Sequence, residues 1–245
     1  MTKTILITGG SRGIGRATAV LFASKGWNVA LSFVGDQKSA DETCALCERA
    51  GITGNVFARK CDVRDEKSVI EFFNCARERF GSISGVVNNA GIVAPQSTLA
   101  DMDIDRMKDV FDTNILGAYL VAREAAKTLH SGTAIVNVSS IAAKLGSPGE
   151  YVDYAGSKGA IDTLTIGLAK ELGPMGIRVN AVRPGIIDTE IHASVGRPER
   201  ITELGPNCPL GRPGDAEEVA HSIYWLISSD ASYVTGSIVD VSGGR

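Results

Sequence analysis

The sequence predicts an α/β fold: a doubly wound, mostly parallel sheet of seven strands flanked by helices on both faces. Three observations carry this. Apolar strand-like runs alternate with longer amphipathic stretches along the chain. Several runs, such as Ile5-Leu6-Ile7 and Ala134-Ile135-Val136, are apolar at every position, as strands buried on both faces of a parallel sheet must be. The first run also ends in a glycine-rich turn that opens at once into a helical pattern.

Strands are expected at Thr4–Thr8, Asn28–Phe33, Asn55–Lys60, Gly85–Asn88, Thr133–Val138, Arg178–Val182 and Ser237–Val241. Helices are expected at Ile14–Ser24, Ser39–Ala50, Glu66–Phe80, Ile104–Leu129, Tyr151–Leu172 and Ala216–Ile227. Strand–helix–strand crossovers of this kind are right-handed. No linker, low-complexity tract or short repeat interrupts the pattern, so residues 1–245 read as one domain. The least regular segment, 185–213, holds Pro198, Pro206, Pro209 and Pro213 and follows a strand end. Such a stretch is an expected lid over a binding site.

At 245 residues the chain can bury a substantial core. Hydrophobic residues make up 44% and charged residues 22%, and the formal net charge is −3. That balance offers no basic face to nucleic acid and no basic amphipathic helix to a membrane surface. The apolar run Ile5–Ile7 is too short for a signal peptide, and no run is long enough to span a bilayer, so the cytosol is the expected location. The cysteine count, five, is odd and argues against a disulfide framework. Cys44 and Cys47 form a C-x-x-C without a second pair or a nearby histidine. They read as ordinary helix residues, and no metal site is expected. His130, His192 and His221 have no partner pattern; His192 falls in the expected lid.

The first strand ends in Thr8-Gly9-Gly10-Ser11-Arg12-Gly13-Ile14-Gly15. Glycines allow a tight turn and close approach of the backbone to a pyrophosphate, and the following helix N-terminus offers free N–H groups. This is the setting of a dinucleotide-binding turn. Further along, Tyr154-Ala-Gly-Ser-Lys158 lies in a helical stretch, where positions i and i+4 share a face. A phenol titrates near ~10, and a neighbouring cation favours phenolate. Tuned that way, Tyr154 can give a proton to a carbonyl oxygen or take one from an alcohol. Upstream, a strand ends in Ser139-Ser140, where an open α/β sheet binds its ligand and a hydroxyl can steady developing charge. Tyr151 is a second tyrosine nearby, but position 155 is Ala, so it lacks the lysine at i+4 and reads as a packing or substrate-loop residue.

The ordered set Thr8-Gly9-x-x-x-Gly13-x-Gly15, Asp62-Val63, Asn88-Asn89-Ala90-Gly91, Asn114, Ser140, Tyr154-x-x-x-Lys158 and Pro184-Gly185, with Gly243-Gly244 near the end, resembles the short-chain dehydrogenase/reductase family over essentially the whole chain. The resemblance is greatest to its glucose 1-dehydrogenase-like and 3-oxoacyl-carrier-protein-reductase-like branch. It implies a Rossmann-like domain and an oxidoreductase that moves hydride between a nicotinamide cofactor and a carbonyl or secondary alcohol. It assigns the acid/base to Tyr154, the tuning of its pKa and a ribose contact to Lys158, the substrate oxygen to Ser140, and a proton-relay water to Asn114. Gly9, Ser11, Gly13, Ile14 and Gly15 fall in the dinucleotide loop. Asp62 and Val63 would meet adenine; Asn88, Ala90 and Gly91 would border the cofactor; Ile187 and Thr189, after Pro184-Gly185, would hold the nicotinamide carboxamide. Ser140 stands one residue further from Tyr154 than the commonest family spacing, so the register of Ser139 against Ser140 stays open.

NADP(H) is expected over NAD(H). An NAD-preferring site usually ends its second strand with an acid that accepts from the ribose hydroxyls. Here that position falls at about Phe33, and Asp36 lies past the strand end. Arg12 in the glycine loop offers a guanidinium to a 2′-phosphate, and Ser32 a hydroxyl. Gly156, Ala160, Thr163 and Gly167 form a stripe of small side chains on the Tyr154 helix. The resemblance turns that stripe into an expected subunit contact of a homotetramer or dimer. A non-catalytic regulator or scaffold that keeps the nucleotide fold is the competing reading; the presence of Asn114, Ser140, Tyr154 and Lys158 together disfavours it.

Overall fold

In the computed structural model, which describes residues 2–51, 55–190 and 196–245, the expected strands form one sheet. The strands are β1 (Thr4–Ile7), β2 (Asn28–Phe33), β3 (Val56–Lys60), β4 (Gly85–Asn88), β5 (Ala134–Val138), β6 (Arg178–Pro184) and β9 (Ile238–Val241). Their order across the seven-stranded sheet is β3-β2-β1-β4-β5-β6-β9. Every neighbouring pair is parallel, which sharpens the "mostly parallel" expectation.

Side-chain alternation explains the all-apolar strands. Ile5 and Ile7 join a core beneath helices α1 (Gly13–Ser24), α2 (Gln37–Ala50) and α9 (Ala216–Ile227), with Phe22 and Trp27. Leu6, between them, faces the opposite core beneath α3 (Glu66–Phe80), α5 (Ala118–Thr128) and α7 (Val152–Leu172), with Phe72 and Phe73. One residue step flips a side chain to the other face, so a strand buried on both faces needs apolar residues throughout.

Two expectations change. The stretch Ile104–Leu129 is not one regular helix: α4 (Ile104–Phe111) passes through a π-helical turn, Asp112–Gly117, before α5. Single π turns inside helices accompany functional sites, and Asn114 sits in this one. The described residues of 185–213 also include short regular elements. Strand β7 (Ile187–Asp188) pairs in parallel with β8 (Gly214–Asp215), and α8 (Arg200–Leu204) lies between them. The short helix α6 (Ala142–Leu145) precedes α7. His192 lies outside the described residues.

Candidate active site

The glycine loop is fixed by backbone geometry. Gly9 and Gly13 have φ of 64° and 51°, the left-handed region that favours glycine. At Gly15 a Cβ would stand 2.2 Å from the Gly9 carbonyl oxygen, so no side chain fits there. The Gly10 N–H donates to the Ser32 carbonyl (2.8 Å), and the Gly9 N–H to the Ser32 hydroxyl (3.3 Å). The Arg16 guanidinium and the Thr43 hydroxyl donate to the Ser11 carbonyl at 2.8 and 3.0 Å. Among the described residues no side chain caps the start of α1, which leaves its first N–H groups for a ligand.

A cleft of about 680 Å³ runs along the C-terminal ends of the strands, across the point between β1 and β4 where strand order reverses. Of the residues singled out in the sequence, Gly9, Ser11, Arg12, Gly13, Ile14, Gly15, Ser32, Asp62, Val63, Ala90, Gly91, Ser140, Tyr154, Lys158, Pro184, Gly185, Ile187 and Thr189 line it. Asn88 and Asn114 do not.

The Asn88 side chain points away from the cleft. Its amide is buried and donates to the Ala118 carbonyl (2.9 Å) and to Asn137 Oδ1 (3.2 Å), joining β4 to α5 and β5. The cleft-lining asparagine is Asn89, whose Nδ2 donates to the carbonyls of Thr8 and Gly9, both at 2.9 Å. Strand alternation supplied the signal: Asn88 continues the buried strand, and Asn89 is the first residue past its end. Asn114 works from behind the wall. Its Oδ1 accepts from the Ile92 N–H (2.8 Å), and its Nδ2 donates to the Ile92 carbonyl (2.9 Å) and the Ser157 hydroxyl (3.1 Å). It clamps the loop after β4 to α7. A Cβ on Gly91 would stand 3.2 Å from Asn114 Oδ1 and 3.4 Å from Lys158 Nζ, so glycine lets these two groups close on that loop.

Tyr154, half-buried, and Lys158, buried, lie on α7 facing the cleft, with Lys158 Nζ 5.6 Å from the centroid of the phenol ring. Lys158 Nζ donates to the Val138 carbonyl (2.8 Å). Burial lowers the Lys158 pKa to about 8, against the pull of Asp162 one turn on. The Tyr154 pKa is raised, not lowered: burial penalises phenolate, and the hydrogen-bonding effect of the Ser140 hydroxyl opposes it. Here desolvation, and not the lysine at i+4 that the sequence offers, sets the direction of the shift. The phenol therefore holds its proton at neutral pH.

The serine register is resolved by packing. Ser139 is buried and donates to Asp162 Oδ1 (2.7 Å), which also accepts from Arg183 through its other oxygen (2.8 Å). Ser140 faces the cleft, and its hydroxyl accepts from the Ala142 N–H (3.1 Å). The extra residue before Tyr154 is taken up where Gly146, Ser147 and Gly149 adopt positive φ.

At the far end, the side chain that closes β2 is Phe33, buried at 5% exposure. Asp36 caps α2, accepting from the N–H (3.0 Å) and hydroxyl (2.6 Å) of Ser39. The Ser39 bonds hold the Asp36 carboxyl below its usual range. Arg12 is exposed at the cleft edge. Asp62 is paired with Arg64 (2.7 Å), which also lines the cleft.

The near end is built around Arg200, a cleft-lining residue that the sequence did not single out. Arg200 on α8 grips Glu150 through both terminal nitrogens, at 2.8 and 2.6 Å, and packs over the Tyr151 ring. Gln96 Nε2 donates to Glu150 (2.8 Å), and Arg197 pairs with Gln96. These partners lie far apart in sequence, and no short motif marks them.

The chain matches the family described as enoyl-(acyl carrier protein) reductase over residues 9–245. It is 50% identical to YgfF, an uncharacterised oxidoreductase of Escherichia coli (strain K12), over 98% of both chains. It is 34% identical to glucose 1-dehydrogenase 2 of Bacillus subtilis (strain 168), over 99% of this chain and 94% of that one. Among solved structures, levodione reductase superposes with a TM-score of 0.92 at 31% identity, covering 99% of this chain and 96% of that one. The dinucleotide-shaped turn, the strand-end serine and the Tyr–Lys helix thus have full-length relatives: the chain belongs to the short-chain dehydrogenase/reductase family of nicotinamide-dependent oxidoreductases.

Proposed function

We propose that the protein is an NADP(H)-dependent reductase of carbonyl compounds, running in reverse as an alcohol dehydrogenase. The observation that carries this reading is the convergence of Tyr154, Lys158 and Ser140 on a cleft whose other end is the glycine turn. The turn suits a dinucleotide: Gly15 lets it close tightly on the Gly9 carbonyl, and no described side chain caps the α1 N-terminus behind it. Gly9, Ser11, Gly13, Ile14 and Gly15 would hold its pyrophosphate; Asp62, Val63 and Ala90 the adenosine; Gly91, Lys158, Pro184, Gly185, Ile187 and Thr189 the nicotinamide end. Bound there, the cofactor supplies the hydride.

The protein's own part is orientation and proton transfer. Ser140 hydrogen-bonds the substrate oxygen. Tyr154, protonated at neutral pH, donates to that oxygen as the carbonyl is reduced. Lys158, as an ammonium, stabilises the phenolate left behind, and Asn114 fixes the loop against which Lys158 packs. For alcohol oxidation the same groups act in reverse.

Preference for the phosphorylated cofactor rests on Phe33 in place of an acid, on Asp36 being engaged by Ser39, and on the exposed Arg12 guanidinium. The reading includes one domain over 1–245, with 185–213 as a substrate lid. It also includes a homotetramer or dimer: Gly156 and Gly167 on α7 have open space beside them within the subunit, and Leu116 and Tyr119 stand 48% and 42% exposed on the adjoining helix. A cytosolic location accords with the fact that no helix among the described residues is long and apolar enough to cross a membrane.

The test is a turnover screen, following NADPH consumption with carbonyl compounds and NADP+ reduction with alcohols and sugars. Turnover that depends on Tyr154 supports the reading. Cofactor binding without turnover anywhere favours a regulator.

A further inference from the structure

We infer that Asp162 is a positioning residue of the reaction: its carboxylate locks the strand end that presents Ser140 to the helix that presents Lys158, and it supplies the anion behind that lysine. This rests on the reading of Tyr154 and Lys158 as the reacting pair. Tyr154, Lys158 and Asp162 are spaced i, i+4 and i+8 along α7, on successive turns of one face. The end of β5 is held from that face residue by residue. The Val138 carbonyl accepts from Lys158 Nζ (2.8 Å). The Ser139 hydroxyl lies 2.7 Å from Asp162 Oδ1 and 3.1 Å from the Lys158 carbonyl. Ser140, next in the chain, is left facing the cleft.

Asp162 is fixed from the other side by Arg183 on β6, whose Nε and a terminal nitrogen donate to Oδ2 at 3.0 and 2.8 Å. Arg183 also reaches Asp240 on β9 (3.4 Å), which pairs with Lys144 on α6. The Asp162 and Arg183 side chains are only 11% and 15% exposed. Apolar residues of similar volume often replace so buried a pair without loss of stability, so folding alone does not call for it. Among the described residues, the other groups around Lys158 are uncharged at neutral pH: the Tyr154 phenol on α7, the Asn114 amide in the π turn and the Val138 carbonyl. Asp162 is the ionised group whose charge acts on Lys158, opposing the burial that brings its pKa to about 8. Arg183, bonded to Asp162, offsets part of that charge.

The two partners of this ion pair should therefore act on Lys158 with opposite signs. Asp162→Asn can keep the Ser139 bond but removes the anion and leaves Arg183 uncompensated, so Lys158 should lose its proton at lower pH than in wild type. Arg183→Gln leaves the anion unscreened, so Lys158 should hold its proton to higher pH. Each shift should be roughly half a pH unit or more. The measurement is an NMR pH titration of isotope-labelled lysine side chains in the full chain, with the Lys158 signal assigned by its absence in Lys158→Arg. It needs no substrate. The alkaline decline of NADPH-driven butane-2,3-dione reduction should move in the same order. Breaking the pair as a merely structural element would move both variants the same way. Shifts of one sign, or none, overturn the inference, as does a decline that stays in place while the titration moves. If Asp162→Asn does not fold, the double variant Asp162→Asn/Arg183→Gln restores a neutral pair; its Lys158 should still titrate below wild type, and a value at or above wild type overturns the inference. Failure of the reductase reading has a separate signature: turnover of the dione then survives Tyr154→Phe, whatever the titrations show.

Discussion

The two ends of the cleft are built in different ways. The cofactor end is backbone: glycines at 9, 13 and 15, main-chain bonds from Gly10 to Ser32, and an uncapped helix start. The other end is side chains: Arg200 lines the cleft, and Glu150, Gln96 and Arg197 hold it from outside that lining through charged and amide groups. Backbone geometry admits few sequences, so the first end is shared widely and can be read from a motif. Side-chain bridges can be exchanged for others, so the second end is where one member of the family departs from the next.

This contrast can be broken most severely at Gly15. Gly15→Val forces a branched side chain onto the Gly9 carbonyl. Cofactor affinity should fall by roughly 10²-fold or more, read by NADPH fluorescence titration, because the only relief is to move the loop. Near-normal affinity would mean that the loop is not the rigid cradle described. Arg12→Ala should have a narrower effect. It should reduce the NADPH-over-NADH ratio of kcat/KM by roughly 10–10²-fold, the worth of charge-assisted hydrogen bonds to a phosphate, with NADH kinetics little altered. A wild-type preference for NADH contradicts the cofactor reading.

At the other end, Glu150→Ala leaves Arg200 charged and without its carboxylate. The Glu150 side chain is 34% exposed, so solvent absorbs part of the penalty, and the expected loss is about 1–2 kcal/mol. KM for the carbonyl substrate should rise roughly tenfold while NADPH affinity stays within about twofold, which separates the two ends in one variant. Parallel losses of both would show that they are mechanically one. The smallest effect concerns pH and the group between them. Burial gives Lys158 a pKa of about 8, so it is an ammonium below that pH and an amine above it. Carbonyl reduction should decline as pH rises through that value, and Lys158→Arg, whose guanidinium stays charged, should move the decline to higher pH. An unchanged pH profile in Lys158→Arg would assign the decline to another group.

The same contrast explains what could be read beforehand. The strands were legible because burial on both faces forces Ile5-Leu6-Ile7 and its counterparts to be apolar throughout. Gly9, Gly13 and Gly15 were legible because one turn needs glycine at each of those places. The burial of the Asn88 side chain toward Asn137 was not legible, because its alternation into the core depends on where β4 stops by a single residue. The π turn around Asn114 escaped because its hydrophobic pattern passes for regular helix. The raised Tyr154 pKa could not be foreseen, since a sequence names the cation at i+4 but not the depth of burial. The pairing of Arg200 with Glu150 was invisible for the same reason: it spans 50 positions and obeys no spacing rule.

The central claim is that the two ends meet at one proton donor. Tyr154→Phe tests it most directly, since the ring and its packing remain and only the hydroxyl is lost. The measurement is kcat with any substrate the screen identifies, together with NADPH affinity on the same preparation. The account predicts a fall in kcat of roughly 10²-fold or more, with cofactor affinity nearly unchanged. Near-normal kcat in Tyr154→Phe would contradict it.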